Sequence, residues 1–234
     1  MKKFAVIPAR GGSKRIPRKN VKPFCGQPMI AYAIMAAKAS GVFDRIVVST
    51  DDDEIASVAR QWGAEVPFMR PPELSDDLTA TAPVMAHAIA QLGAADGDAV
   101  CCIYPGVPLL SPDDLAEGLR LFEAGTHDYV FPVLAFSSPI QRALQRAADG
   151  TVRSMHPEYA MTRTQDLPPA YHDAGQFYWG KPAAWVAGKS AHLGGLAMVV
   201  PEWRAVDIDS PDDWVRAEAL YTALSGTEKT RRAA

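Results

Sequence analysis

The opening of the chain places a pair of glycines between a short apolar run and a group of cations. Phe4–Ile7 has the composition of a buried strand, and Gly11 and Gly12 follow it just before Lys14. The backbone N–H groups of such a glycine turn, together with nearby positive charge, are suited to binding phosphates. We therefore predict a loop that binds the phosphates of a nucleotide triphosphate.

Positive charge is concentrated in this same segment. The chain has a formal net charge of -3, yet no acidic residue precedes Asp44. Of its 24 lysines and arginines, eight lie in the first 22 positions: Lys2, Lys3, Arg10, Lys14, Arg15, Arg18, Lys19 and Lys22. A local cationic patch on an acidic protein suits a compact polyanion, whereas a long nucleic acid usually requires a basic face across the domain. A solvated basic N-terminus is the alternative, but glycines directly after an apolar run favour a shaped loop.

Two common nucleotide motifs do not fit this loop. In the Walker A motif two glycines are separated by four residues and followed by Lys and Ser or Thr, and Gly11-Gly12-Ser13-Lys14 has a different spacing. The dinucleotide fingerprint also fails, because no third glycine follows at the start of a helix.

A second pair of residues that could take part in chemistry, Asp207 and Asp209, lies near the other end of the chain. In an extended segment Asp207 and Asp209 point the same way, within reach of one hard cation, while Ile208 turns into the core. Mg²⁺ usually takes one or two carboxylates and completes its shell with water and substrate phosphates. The pair therefore predicts a Mg²⁺ site, although Asp209 could instead only cap the following helix together with Ser210.

The elements that would position these residues alternate between strands and helices. Strands are predicted at 4–8, 45–50, 66–69, 99–104, 129–134, 176–179 and 196–200. The β-α-β-α-β pattern at the start requires parallel strands joined by right-handed crossovers. We predict an α/β fold with a Rossmann-like, mostly parallel twisted sheet flanked by helices.

In such a sheet, ligands bind outside the carboxyl ends of the strands. The polar residues predicted at those ends are Arg10, Ser13, Lys14, Lys19, Asn20, Asp51, Asp52, Arg70 and Tyr104, and Asp207 and Asp209 arrive from a late loop. The sequence therefore predicts that residues from distant parts of the chain form one site.

The 234 residues are enough for one α/β domain, which we place at residues 1–224. The alternation breaks at residues 135–172, where we predict a small protruding excursion that is either a dimerisation arm or a flexible loop. Residues 225–234 have the composition of a disordered tail.

The three cysteines, Cys25, Cys101 and Cys102, have no metal-binding spacing. Neighbours in a strand point to opposite faces, so Cys101 and Cys102 are predicted to be core residues rather than a disulfide. A reducing cytoplasm is the expected location. No signal peptide is recognised, and no apolar run has the length of a membrane span.

Several short motifs lie in order along the chain and together resemble a known family. They are Ile7-Pro8-Ala9-Arg10-Gly11-Gly12-Ser13-Lys14, Pro17-Arg18-Lys19-Asn20, Val48-Ser49-Thr50-Asp51-Asp52, Arg70-Pro71-Pro72-Glu73-Leu74 and Val206-Asp207-Ile208-Asp209. They look like motifs of the acylneuraminate cytidylyltransferases, which load CMP onto nine-carbon keto-acid sugars. The resemblance covers essentially the whole chain and implies a fold of the nucleotide-diphospho-sugar transferase type.

Three further stretches resemble the branch of this family that uses pseudaminic acid. They are Cys102-Ile103-Tyr104-Pro105-Gly106-Val107-Pro108, Pro139-Ile140-Gln141-Arg142-Ala143-Leu144 and Tyr171-His172-Asp173-Ala174-Gly175-Gln176-Phe177-Tyr178-Trp179-Gly180. A Gln of the sialic acid enzymes aligns with Tyr104, and an Arg and an Asn align with His172 and Ala174. These departures argue against sialic acid itself and leave the CTP chemistry intact.

The resemblance implies roles for individual residues. CTP is expected to bind Arg10, Gly12, Ser13, Lys14, Lys19, Asn20, Arg70 and Thr81. The same resemblance implies Mg²⁺ on Asp207 and Asp209 and a sugar pocket with Tyr104 and His172, although His172 could instead be a hydrogen-bonded loop histidine. The protruding excursion leads us to expect a homodimer.

The implied reaction is attack of the anomeric 2-hydroxyl of the sugar acid on the α-phosphorus of CTP, with release of pyrophosphate. Lys19, Arg10 and Asp209 are the expected catalytic residues, because the protein must supply placement and fixed charge. Asp209 is also a candidate acceptor for the attacking proton. The alternatives are the same chemistry on N-acetylneuraminic or legionaminic acid, and a nucleotide-binding regulatory module without catalysis.

Overall fold

The computed structural model describes the backbone of residues 1–232 and the side chains of residues 1–225. In chain order its strands are β1 (Lys3–Pro8), β2 (Pro23–Phe24), β3 (Gln27–Pro28), β4 (Arg45–Ser49), β5 (Ala99–Ile103), β6 (Tyr129–Ala135), β7 (Leu144–Arg146), β8 (Val152–Ser154), β9 (Tyr171–Asp173), β10 (Phe177–Gly180) and β11 (Leu196–Val199). Its α-helices are α1 (Met29–Ser40), α2 (Asp53–Gln61), α3 (Thr81–Leu92), α4 (Pro112–Ala124), α5 (Pro182–Val186) and α6 (Pro211–Arg232).

One central sheet holds seven of these strands. Six lie in the order β11-β6-β10-β5-β1-β4, and β9 pairs with β6. The pairs β1–β4, β1–β5 and β6–β11 are parallel, as the βα alternation predicts. β10 runs antiparallel between β5 and β6, and β9 is antiparallel to β6. The predicted α/β class is confirmed, and the sheet is mixed because the chain re-enters it through β9 and β10 after the excursion.

The strand predicted at 66–69 does not form. This segment makes only isolated parallel bridges, Val47 with Glu65 and Thr50 with Met69. Pro67 lies between them and has no N–H to donate to a ladder, which explains why the pairing is interrupted. The second bridge still brings Arg70 beside the end of β4, where its N–H donates to the carbonyl of Thr50 at 2.7 Å.

β5 lies inside the sheet and all five of its residues are buried. Cys101 packs into the core on one face and Cys102 into the core on the other. Both are free thiols, so the prediction of core residues rather than a disulfide is confirmed.

The excursion after β6 contains the antiparallel hairpin β7–β8, whose residues are all exposed. β9 then returns the chain to the sheet beside β6. A protruding segment at 135–172 was predicted, and this hairpin is its main regular element.

α6 begins after Ser210, whose hydroxyl and backbone N–H both donate to the carboxylate of Asp213. Trp214 and Ala217 on its inner face are buried. The helix is continuous to Arg232, so it extends into the segment predicted as a disordered tail; residues 233 and 234 lie outside the described residues. Among the described residues, no helix has both the length and the apolar character needed to cross a membrane.

Candidate active site

A cavity of about 370 Å³ opens at the carboxyl end of β1. The opening loop supplies most of its wall, with Arg10, Ser13, Lys14, Arg15, Ile16, Lys19 and Asn20. Asp209 comes from the other end of the chain, and its carboxylate lies 2.7 Å from the guanidinium of Arg15 and 3.8 Å from Nζ of Lys19. The cationic loop and the acidic loop therefore meet in space.

The loop is held in shape by hydrogen bonds to its own backbone and to residues after β4. Asn20 Nδ2 donates to the carbonyl of Arg10 at 2.9 Å, and the N–H of Gly11 donates to Asp51 Oδ1 at 3.0 Å. A Cβ at Gly11 would lie 2.7 Å from a carboxylate oxygen of Asp52, so a side chain at this position would have to displace that group. Contacts within the protein thus fix the shape of the loop.

Arg18 anchors the same loop from outside the cavity. Its φ is +57°, in the left-handed region that residues other than glycine rarely adopt. Its guanidinium contacts the carboxylates of Asp52 and Glu54. Asp52 also caps α2 by accepting from the N–H of Ile55, and the hydrogen bond from Arg18 lowers the pKa of Asp52. These contacts fix the turn that presents Lys19 and Asn20.

Arg70 lies behind the loop rather than in the cavity wall. It is only 6% exposed, and its NH2 atom is 3.6 Å from Asp51 Oδ1. Its Nε and NH2 atoms have no hydrogen-bond partner, and burial lowers its pKa. Arg70 and the Gly11 N–H therefore share the carboxylate of Asp51, and a contact between Arg70 and the nucleotide stays a prediction.

A second cavity of about 290 Å³ adjoins the first. It is lined by Lys19, Tyr104, Pro105, Gly106, Gly175, Asp207, Ile208 and Asp209. Lys19, Pro105 and Asp209 line both cavities. Two ligands placed in these cavities would thus meet at Lys19 and Asp209.

Burial shifts the pKa values of Lys19 and Asp207, which lie where the two cavities adjoin. It lowers the pKa of Lys19, an effect that the nearby carboxylate of Asp209 opposes. Burial also raises the pKa of Asp207, and the like charge of Asp209 adds to the increase. A cation shared by the two carboxylates would relieve the repulsion between them.

The donor set is suited to Mg²⁺. Asp207 and Asp209 line one cavity, and no cluster of three or more His, Cys, Asp or Glu side chains suited to a metal occurs in the part of the chain that the structure describes. Two carboxylates are enough for Mg²⁺ when substrate phosphates and water supply the remaining oxygens.

The two residues predicted to bind the sugar, Tyr104 and His172, differ in their position relative to the second cavity. Tyr104 lines the second cavity, and its hydroxyl is 3.2 Å from that of Thr81 at the start of α3. His172 is exposed on β9, packs against Phe136 and lies outside the lining of both cavities. Thr81 therefore meets the site through Tyr104, whereas His172 does not contribute to either wall.

Sequence reasoning missed Asp77, which lines the first cavity. It lies in a polar loop without periodicity, and only the excess of acidic residues at 73–77 could have drawn attention to it. It also missed Asp173, which connects Tyr178 to His192 behind the second cavity. The partner of Asp77 in the cavity, Arg10, is distant in the sequence, and the contact of Asp173 with His192 depends on how the chain folds back after β10.

The chain is similar to known proteins along most of its length. A family model described as Cytidylyltransferase matches residues 4–190. The chain is 41% identical over 224 residues to a pseudaminic acid cytidylyltransferase of Campylobacter jejuni, covering 94% of this chain and 97% of the relative. It is 31% identical to a CMP-N,N'-diacetyllegionaminic acid synthase of Legionella pneumophila, covering 94% and 96% of the two chains.

The chain is also similar to a vertebrate protein and to a solved structure. The chain is 36% identical to N-acylneuraminate cytidylyltransferase B of Danio rerio, covering 92% of this chain and 50% of that protein. The structure of a CMP:2-keto-3-deoxy-manno-octonic acid synthetase complexed with CTP superposes with a TM-score of 0.73 at 18% identity, covering 95% of this chain and 99% of that one. That likeness supports the fold assigned above.

Proposed function

The chain belongs to the cytidylyltransferase family, and we propose that it transfers CMP from CTP to a nonulosonic sugar acid, pseudaminic acid, with release of pyrophosphate. In this reaction the anomeric 2-hydroxyl of the sugar acid attacks the α-phosphorus of CTP. The attacking oxygen, the α-phosphorus and the departing pyrophosphate must lie in line. The protein therefore needs two adjoining binding sites with fixed positive charge between them.

The observation that carries this proposal is the pair of cavities that share Lys19 and Asp209. The first cavity has cations that a triphosphate requires, among them Arg10 and Lys14, and it is also lined by Ser13. The second has a tyrosine hydroxyl and carboxylates suited to a polar sugar. Lys19 stands where charge develops during the transfer, so it would stabilise the transition state more than the bound substrates.

The residues of the chain have separable tasks in this proposal. Arg10, Lys14 and Lys19 orient the phosphates, while Gly12, Ser13 and Asn20 shape the loop around them. Asp207 and Asp209 would hold Mg²⁺, which when bound supplies positive charge at the phosphate oxygens. Asp209 would also accept the proton of the attacking hydroxyl, a role that its presence in the lining of both cavities supports.

The choice of pseudaminic acid rests on relatedness and on Tyr104. The C. jejuni relative named for pseudaminic acid is 41% identical, whereas the relative named for a legionaminic acid derivative is 31% identical at similar coverage. Tyr104 lines the second cavity, where the resemblance to sialic acid enzymes would place a Gln. The same chemistry on N-acetylneuraminic or legionaminic acid is the competing proposal.

A pyrophosphate-release assay tests both the transferase activity and the choice of sugar acid. The purified chain is incubated with CTP and Mg²⁺ and with pseudaminic, N-acetylneuraminic, legionaminic or 2-keto-3-deoxyoctonic acid, and CMP-sugar formation is followed by mass spectrometry. We expect the highest kcat/KM with pseudaminic acid. Turnover of another acid with a higher kcat/KM would overturn the choice of sugar, and no turnover of any acid would overturn the transferase proposal.

We further propose that the chain forms a homodimer through the excursion at 135–172. The excursion exposes large apolar side chains, among them Leu144, Val152, Met155 and Met161. Such a patch is typical of an interface between proteins. Light scattering should give twice the mass of the chain, and substitution of Leu144 and Val152 by Ser should reduce this mass to that of a monomer.

We also propose that the chain acts in the cytoplasm, because its three free thiols suit a reducing compartment.

A further inference from the structure

The loop before α6, which carries the two candidate Mg²⁺ ligands, is held at Arg204 by side chains from two other parts of the chain. Residues 205–209 belong to no helix or strand, so their position depends on such contacts. Gln176 Nε2 donates to the carbonyl of Arg204 at 2.7 Å. NH1 of Arg204 donates to Asp114 Oδ1 on α4 at 2.8 Å. Arg204 is thus held through both its backbone and its side chain, shortly before Asp207.

Gln176 also belongs to the wall of the second cavity. It follows Gly175, which lines that cavity, and its backbone carbonyl accepts from the N–H of Tyr104 at 2.9 Å. Tyr104 lines the same cavity. The backbone of Gln176 therefore holds the wall that we expect to bind the sugar, while its side chain holds the loop that carries Asp207 and Asp209.

Gln176 and Asp114 are both buried, with exposed fractions of 2% and 8%. Within the part of the chain that the structure describes, Gln176 Oε1 and Asp114 Oδ2 have no hydrogen-bond partner. Burying a polar group that is only partly hydrogen-bonded costs more free energy than burying an apolar side chain of similar size. Stability alone therefore does not explain these two polar groups, and both of them contact Arg204.

Other contacts hold the same loop on the far side of Asp207. Nζ of Lys19 donates to the carbonyl of Ile208 at 2.7 Å, and Asp213 Oδ2 accepts from the N–H of Asp209 at 3.1 Å. These contacts fix the C-terminal part of the loop, whereas the contacts described above fix its N-terminal part. The two carboxylates thus lie between two anchored points of the backbone.

We propose that Gln176 is a positioning residue for the candidate Mg²⁺ site, which acts through the backbone of Arg204 to hold the carboxylates of residues 205–209 toward the second cavity. Asp114 supports the same contact through the Arg204 guanidinium. The proposal rests on the function assigned to this site above. Gln176 and Asp114 lie outside the lining of both cavities, so their effect on Mg²⁺ must pass through the loop.

Replacement of Gln176 by Met tests this role, because Met has a similar length and lacks the amide. Mg²⁺ is titrated calorimetrically into protein saturated with CTP, and the heat of Mg²⁺ binding to CTP alone is subtracted. We expect Gln176→Met to weaken Mg²⁺ binding roughly two- to tenfold, the range of one hydrogen bond. Binding of CTP in the presence of EDTA should not change, because Gln176 lies outside the lining of the first cavity.

Gln141→Met is the matched control. Gln141 is also buried, and its Nε2 donates to the backbone carbonyl of Pro168 at 3.2 Å. It lies in the excursion and outside the lining of both cavities. The control therefore loses the same kind of hydrogen bond, and it should bind Mg²⁺ as tightly as the wild-type protein does.

Asp114→Asn tests the side-chain contact and provides a second variant if Gln176→Met does not fold. It weakens the pairing with Arg204 without leaving a charge buried on its own, because the Arg204 side chain is partly exposed. Asp114→Asn should also weaken Mg²⁺ binding, whereas Asp113→Asn, an exposed neighbour on α4, should not. Thermal melts establish that every variant is folded.

The outcomes separate this inference from the proposed function. Unchanged Mg²⁺ binding in folded Gln176→Met, an equal loss of CTP binding in EDTA, or an equal effect of Gln141→Met would overturn the positioning role and leave the transferase proposal standing. If Gln176→Met does not fold, unchanged Mg²⁺ binding in Asp114→Asn would overturn it. Wild-type protein that releases no pyrophosphate with any sugar acid would overturn both.

Discussion

The Oδ1 atom of Asp77 lies 2.8 Å from the NH1 atom of Arg10, inside the cavity that we assign to the triphosphate. The other oxygen of Asp77 pairs with Lys14, and NH1 of Arg10 also donates to the carbonyl of Asp76 at 2.6 Å. The carboxylate of Asp77 is thus paired with Arg10 and Lys14, the same cations that we expect to bind the triphosphate. We therefore expect Asp77 to compete with CTP for Arg10 and Lys14.

Replacement of Asp77 by Asn should therefore strengthen nucleotide binding. The variant loses two partly exposed ion pairs, so we expect the KM for CTP to fall roughly two- to thirtyfold. The KM for the sugar acid should not change. Glu73→Gln, an exposed site in the same loop, is the matched control. An increase in the KM for CTP would mean that Asp77 assists binding instead of competing with it.

Removal of the Lys19 amine should damage catalysis more than any other single change in the loop. Nζ of Lys19 donates to the carbonyl of Ile208 at 2.7 Å and lines both cavities. A charge-assisted hydrogen bond contributes about 1.5–3 kcal/mol, so Lys19→Ala should lower kcat/KM by roughly 10- to 150-fold. Lys2→Ala removes an exposed cation of the same segment and should have no effect. Unchanged steady-state kinetics in Lys19→Ala would exclude the catalytic role.

The meeting of Lys19 with the loop at 207–209 could be anticipated from the sequence. Arg10 follows β1, and polar side chains after parallel strands collect at one edge of the sheet. The short motif Asp207-Ile208-Asp209 precedes a helix start at Ser210, and its central residue is buried as the alternation predicts. Both inferences use local patterns, which is why they locate the site without coordinates.

Other features depend on partners that no local pattern reveals. The antiparallel β10 between β5 and β6 results from how the chain returns after the excursion, and the composition of Phe177–Gly180 suits either direction. The ion pair between Asp77 and Arg10 joins residues 67 positions apart, in a loop without periodicity. His172 was predicted from alignment with sugar-binding positions, yet β9 pairs with β6 in a register that leaves its side chain exposed.

The Asp207 and Asp209 carboxylates should determine the response to Mg²⁺. Asp207→Asn and Asp209→Asn each remove a candidate ligand from the second cavity, so the Mg²⁺ concentration for half-maximal activity should rise and the maximal rate should fall. Asp212→Asn changes an exposed carboxylate in the first turn of α6 and should behave as wild type. Calorimetric titration of Mg²⁺ in the presence of CTP provides a readout that does not depend on turnover.

If Asp209→Asn retained full activity at every Mg²⁺ concentration, both roles given to Asp209 would be wrong. A loss of activity in Asp209→Asn that excess Mg²⁺ restores would support metal binding and exclude proton acceptance as an essential role. A loss that Mg²⁺ does not restore is expected if Asp209 also accepts the proton.

The ion pair between Arg18 and Asp52 should make part of the stability depend on pH. The hydrogen bond from Arg18 lowers the pKa of Asp52, so the unfolded state binds the proton more readily and the pair stabilises the fold above the ordinary Asp pKa of about 3.9. Asp52→Asn keeps a good helix cap and removes the charge. At pH 7 we expect the variant to lose about 1 kcal/mol of unfolding free energy, measured by urea denaturation. This difference should shrink as the pH falls below about 3.9 and Asp52 becomes protonated. The control is Asp53→Asn, an exposed neighbour in the first turn of α2, whose unfolding free energy relative to wild type should not change with pH in this way. If the loss of unfolding free energy in Asp52→Asn stayed constant with pH, its ionic origin would be contradicted.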